Sequence, residues 1–180
     1  MKVLIVEDDY SKSRMLREYM RNKFNATVDD VIDEKEAKEK LRCSTSYNLV
    51  LLDMSLPDVI HKTDIDAYGG MNVLSYMENE KIIIPVIVIT SYWDFKNLFM
   101  REVKELYFAK NIFFHQEINY DEVEIVEDFD YLDRMHQYMS YTYNHVYFGS
   151  IEFSYHNAKW KIILKDFLKE LKNNEYIGLR

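Results

Sequence analysis

Three apolar runs, each stopping at an oxygen-bearing side chain, constrain this chain more than any other feature. Val3-Leu4-Ile5-Val6 runs into Glu7-Asp8-Asp9, Leu49-Val50-Leu51-Leu52 into Asp53, and the run within Ile82 to Ile89 into Thr90-Ser91. Short unbroken apolar runs rich in β-branched residues suit strands buried on both faces, as in a parallel sheet covered by helices. The segments between them carry the helical period. Ser11 to Phe24 has Met15, Leu16, Tyr19, Met20 and Phe24 on one stripe, and Met71 to Glu80 has Val73, Leu74 and Met77. Ala26 to Asp33 reads as a short strand and Glu34 to Leu41 as a charged helix. Strands alternating with helices predict βαβ units.

Beyond Ser91 the pattern is less regular. Tyr92 to Leu106 and Leu132 to Tyr143 are compatible with helices, and Asn119 to Asp133 is strongly acidic. Val146 to Phe153 reads as a strand. Ala158 to Leu171 is an amphipathic helix with Trp160, Ile163, Leu164, Phe167, Leu168 and Leu171 apolar. Five β/α units therefore fit one domain over residues 1–180, with an insertion at about 92–131 and a lengthened loop at about 56–69. The many aromatic residues of the second half are read as core and loop packing.

Composition narrows the function classes. A formal charge of −8 gives no clustered cation for a phosphate backbone, so no nucleic-acid partner is expected. Four Gly and two Pro are too few for a turn-rich β-sandwich. Cys43 stands alone, which fits a reducing compartment. No segment reads as a secretory signal or is long enough to span a bilayer, so the expectation is a cytoplasmic protein without membrane contact.

The carboxylates carry the chemistry. In a doubly wound sheet the carboxyl ends of the strands line one crevice, so Glu7, Asp8 and Asp53 converge although they are distant in sequence. Carboxylates held together repel one another and favour a hard cation with oxygen ligands, Mg²⁺ or Mn²⁺. Asp53 is then a nucleophile for a phosphoryl group, forming an acyl phosphate, and Thr90 offers a hydroxyl to a phosphoryl oxygen.

Met1 to Asp9 (MKVLIVEDD), Leu49 to Pro57 (LVLLDMSLP), Gly70 to Leu74 (GMNVL) and Pro85 to Ser91 (PVIVITS) together resemble the receiver domain of two-component response regulators. The resemblance covers about the first ninety residues. It implies an α/β fold with a doubly wound, five-stranded parallel sheet, flavodoxin-like in its 2-1-3-4-5 order, helices on both faces and the insertion after the fourth strand. Carried over by position, Asp53 is the phosphoacceptor and Asp8 a direct metal ligand. Glu7 acts on the metal largely through water, the backbone carbonyl of Ser55 binds it, and Thr90 is the switch hydroxyl. Asp9 falls just outside the acidic pair and reads as a solvated loop acid. The implied partners are a histidine kinase or phosphotransfer protein and a downstream protein target, with a homodimer left open. The chain is not expected to be a turnover enzyme.

Three departures qualify the resemblance. Receivers place a Lys followed by Pro at the end of the fifth strand, and this chain has no Lys-Pro. Either Leu106 to Lys110 (LYFAK) is that strand and Lys110 the lysine, or the strand is Val146 to Phe153 and ends without one; the second alignment is preferred. The loop after Asp53 contains His61, Asp64 and Asp66, whose spacing matches no ligand pattern, so these are read as solvated. The insertion carries Asp121, Glu122, Glu124, Glu127, Asp128 and Asp130, read as a solvated acidic loop or, alternatively, a docking surface for a basic partner. The histidines are read as surface or packing residues and Cys43 as non-catalytic.

With no residues left over for an output domain, the leading expectation is a stand-alone receiver signalling by protein contact. The alternative is a pseudo-receiver, an interaction module independent of phosphorylation. A hydrolase with an aspartate nucleophile is disfavoured, because such enzymes carry an acid/base Asp two residues on, where this chain has Ser55.

Overall fold

Each apolar run forms a strand in the computed structural model, which describes residues 1–43, 46–57, 65–66, 69–91 and 147–173. In chain order the elements are β1 (Lys2–Val6), α1 (Tyr10–Phe24), β2 (Thr27–Val31), α2 (Glu34–Cys43) and β3 (Leu49–Leu52). A two-residue antiparallel pair follows, β4 (Leu56–Pro57) with β5 (Ile65–Asp66). Then come α3 (Gly69–Asn79), β6 (Val86–Thr90), β7 (Tyr147–Glu152) and α4 (Lys159–Asn173). The main sheet has the order β2-β1-β3-β6-β7, every pair parallel. Numbered by their sequence within that sheet, the strands stand 2-1-3-4-5, the order the resemblance implies.

Alternation along the strands divides the core into two layers. Leu4, Val6, Val50, Leu52, Val86 and Val88 pack with Ala37 and Leu41 of α2 and with Val73, Leu74 and Met77 of α3. Val3, Ile5, Leu49, Leu51, Ile87 and Ile89 pack with Leu16 and Met20 of α1 and with Trp160, Leu164, Leu168 and Leu171 of α4. Two-sided burial is why these strands read as continuous apolar runs rather than as alternating ones.

The fifth strand is Tyr147–Glu152, paired with β6 from Val86 to Thr90. The second of the two alignments is therefore the one the sheet adopts. Gly149 of this strand lies under the Phe167 ring, where a Cβ would stand 2.7 Å from the ring atoms. Lys110, the acidic residues 121–130, the helices read at 92–106 and 132–143, and His61, Asp64, His115, His136 and His145 lie outside the described residues.

One boundary moves by four residues from the sequence reading, and others move by one or two. The apolar run at Ile82 becomes strand only from Val86. Lys81 takes a left-handed φ of 55°, Ile83 is left exposed, and Pro85 cannot donate to a ladder. Helix α3 begins earlier, at Gly69, directly after the loop. Among the described residues no helix is long and apolar enough to cross a membrane.

Candidate phosphoryl-transfer site

The strand ends meet in register. Val6 lies opposite Leu52, Leu52 opposite Val88, and Thr90 opposite Glu152. Backbone bonds continue the ladder one residue further: Glu7 donates to the Val31 carbonyl, Asp53 to Val6 and Phe153 to Thr90, each at 2.9 Å. Glu7 and Asp53 extend the odd-numbered alternation of β1 and β3, which faces α1 and α4. Both carboxylates are thereby carried to the head of α1.

Glu7, Asp8 and Asp53 come together there. One oxygen from each can be chosen so that all three lie within 4.8 Å of one another. Glu7 and Asp53 are buried and Asp8 is exposed, so the cluster has an interior side and a solvent side. Asp53 Oδ1 accepts from the Met54 N–H at 2.7 Å, and Glu7 Oε1 accepts from the Asp9 N–H at 3.0 Å. Burial pushes the Glu7 carboxyl up to about 8, with Lys12 pulling it down and Asp53 adding to the rise. Asp8 is raised for the same two reasons, loss of hydration first and Asp53 second.

A residue that sequence reasoning missed completes the cluster. The ammonium of Lys12 lies 2.7 Å from Glu7 Oε2 and 2.9 Å from Asp53 Oδ2, with the side chain only 2 % exposed. A buried lysine is rare unless paired, and here it has two carboxylates. The contacts are ionic in distance but lack hydrogen-bond alignment, so Lys12 Nζ and Glu7 Oε2 are buried without a hydrogen bond. The Thr90 Oγ1, at the end of the next strand, is in the same condition. The sequence did hold a signal for Lys12: it stands four residues before Leu16 and eight before Met20, at the head of the stripe that α1 buries.

Asp9 is exposed and outside the cluster, as the sequence reading has it, yet it has a structural role. It caps α1, its Oδ1 accepting from the N–H groups of Ser11 at 2.8 Å and Lys12 at 3.2 Å. The Tyr155 hydroxyl donates to its other oxygen, and this bond is the main reason its carboxyl sits below the usual range. Asp9 thus ties the first helix to the segment after the last strand. Sequence alone could not pair residues so far apart. Ser55 lies half-buried two residues past Asp53, before β4. Helix α3 holds the same turn from behind, its Gly70 N–H donating to the Met54 carbonyl at 3.1 Å.

The donor set suits a hard divalent cation: it is all oxygen, it holds a buried Glu7 oxygen with no hydrogen bond, and it opens to solvent at Asp8. The profile of the response regulator receiver domain matches residues 3–105. This chain belongs to that family. The matched span ends well before β7 and α4, which complete the receiver sheet and one of its layers.

The receiver is also similar to the Detocs response regulatory protein DtcB of Enterobacter cloacae. The two are 26% identical over 99 residues, which is 51% of this chain and 66% of that protein. Among solved structures it resembles a CheY-like response regulator receiver domain protein of Methanospirillum hungatei, with a TM-score of 0.56 and 15% identity over 97% of this chain and 95% of the other. It also resembles the response regulator TrrA of Thermotoga maritima in complex with Mg²⁺ and BeF, with a TM-score of 0.52 and 15% identity over 92% and 97%. At these identities the structures establish the fold.

Proposed function

We propose that this receiver accepts a phosphoryl group on Asp53 in two-component signalling and passes the signal by protein contact. The observation that carries the reading is Asp53 itself, buried at a strand end with Oδ2 turned toward a cation and two further acids beside it. Oδ2 attacks the phosphorus of a phosphohistidine or a small phosphodonor. A P–O bond forms, the bond from phosphorus to the donor breaks, and the donor departs with the electron pair. Mg²⁺, the ion in the TrrA complex, would be held by Asp8 and Asp53 with Glu7 acting through water and the Ser55 carbonyl completing the set. When bound it neutralises charge on the transferring oxygens; no similarity speaks for Mn²⁺.

The chain's own residues do the rest. The Met54 N–H holds Oδ1 and so fixes the carboxylate plane. Thr90 keeps an uncommitted hydroxyl in a buried position, able to donate once a phosphoryl oxygen is in reach. A histidine kinase or phosphotransfer protein in the cytoplasm is the donor this chemistry calls for. The reaction is one transfer per chain rather than turnover.

Intact-protein mass after incubation with acetyl phosphate and Mg²⁺ tests the reading. A phosphoryl-sized increase that disappears in Asp53→Asn and with chelator is expected; absence of any increase, under conditions that label another receiver, counts against it. A second reading, a pseudo-receiver that acts without phosphorylation, draws support from the Lys12 bridge, which already sets a cation between two of the acids. It predicts an unlabelled wild type whose protein contacts survive Asp53→Asn.

A further inference from the structure

We infer that Lys12 is the phosphoryl-facing cation of this site, supplied by the first helix. The inference rests on Asp53 being the phosphoacceptor and assigns the group that meets the phosphate once it is there. Lys12 Nζ stands 2.9 Å from Asp53 Oδ2, the carboxylate oxygen that Met54 does not hold. A phosphoryl group joined to that oxygen arrives beside the ammonium. The lysine is 2 % exposed, and it meets the two carboxylates at ion-pair distance without an aligned hydrogen bond.

A buried donor without an aligned acceptor is unusual, because such a group loses its hydration without replacement. The oxygens of an acyl phosphate are strong charge-assisted acceptors that would use those donors. The Glu7 contact at 2.7 Å holds the head group beside the phosphoacceptor.

No other described residue provides a cation here. Strand β7 ends in Glu152, and the following Phe153 is buried with its ring 5.5 Å from Lys12 Nζ. The residue that follows the end of β7 and donates to the Thr90 carbonyl is thus apolar, and the Phe153 face lends the ammonium a wall rather than a competing charge. The two cations of the working site divide between the two sides of the cluster. The divalent ion belongs at the solvent side, where Asp8 is exposed, and Lys12 at the interior side.

The full chain and its Lys12→Met variant are compared by labelling from acetyl phosphate at saturating Mg²⁺ and, separately, by calorimetric titration with Mg²⁺ alone. Loss of one charge-assisted contact is expected to slow labelling about tenfold or more. Mg²⁺ should bind at least as tightly, because a neighbouring positive charge is gone. Labelling within twofold of wild type overturns the assignment. So does a loss of Mg²⁺ binding that accounts for the slower labelling, which would make Lys12 only a spacer for the acids.

A wild type that takes no label overturns the phosphoacceptor reading and this one together; a labelled wild type with an equally labelled variant overturns this one alone. If Lys12→Met does not fold, Lys12→Gln keeps a donor between the acids without the charge. Its binding of beryllofluoride with Mg²⁺ then decides: weakened binding supports the assignment and unchanged binding overturns it.

Discussion

Gly70 shows how a single missing Cβ shapes the site. A methyl group there would stand 2.5 Å from the Asp53 carbonyl oxygen and 2.6 Å from Met54 Cα, both backbone atoms that cannot swing aside. Gly70→Ala should therefore destabilise the fold by about 1–3 kcal/mol in a denaturant titration, the usual range for overpacking. It should also slow acetyl-phosphate labelling, because the atoms displaced carry the phosphoacceptor. Asp9 makes a milder case. Asp9→Ala removes the α1 cap at a cost of about 1 kcal/mol, read as a lower urea midpoint. At this scale the acids Glu7, Asp8 and Asp53 were legible, because each follows an apolar run. Lys12 and the bond from Tyr155 to Asp9 were not, since a lysine near a helix start ordinarily reads as solvated and the tyrosine is remote in the chain.

Strands and helices were more legible than side-chain pairings. The unbroken runs in β1, β3 and β6 and the stripes of α1, α3 and α4 appear where the apolar period places them, apart from Ile163 of α4, which is exposed, because two-sided burial leaves little choice of residue. The misplaced start of β6 has a local cause in Lys81 and Pro85, which the apolar count of Ile82 to Ile84 obscures. The sheet edge yields a prediction of its own. The Tyr47 hydroxyl, before β3, donates to Asp29 of β2 at 2.7 Å, and this bond is the chief reason the Asp29 carboxyl is held below its usual range. A depressed folded value stabilises above the unfolded pKa, which is about 3.9, and that contribution is lost as pH falls through the folded value. Tyr47→Phe should lower stability by about 1 kcal/mol near pH 7. The deficit should shrink below about pH 4, as urea titrations at several pH values would show.

For the whole molecule, the span that identifies the family is shorter than the unit that folds. Residues 3–105 stop short of β7 and α4, which supply Ile151, Phe153, Trp160, Leu164, Leu168 and Leu171 to one core layer. A fragment of residues 1–105 should lack that layer, expose Leu16, Met20, Ile87 and Ile89, and fail to give a cooperative melt by circular dichroism. The full chain should give one. Trp160→Ala within the full chain, removing a side chain with no exposed surface, is expected to cost about 3–5 kcal/mol by the same assay. The long sequence separation between β6 and β7 also has a consequence in time. At roughly 5–20 residues per second, a ribosome needs several seconds to deliver the partner of Val86–Thr90 after that strand has emerged. Throughout that interval Val-Ile-Val-Ile-Thr presents an open edge, uncharged and strongly β-forming, to every other nascent copy. Synthesis, more than the finished fold, is therefore where this receiver is most exposed to aggregation.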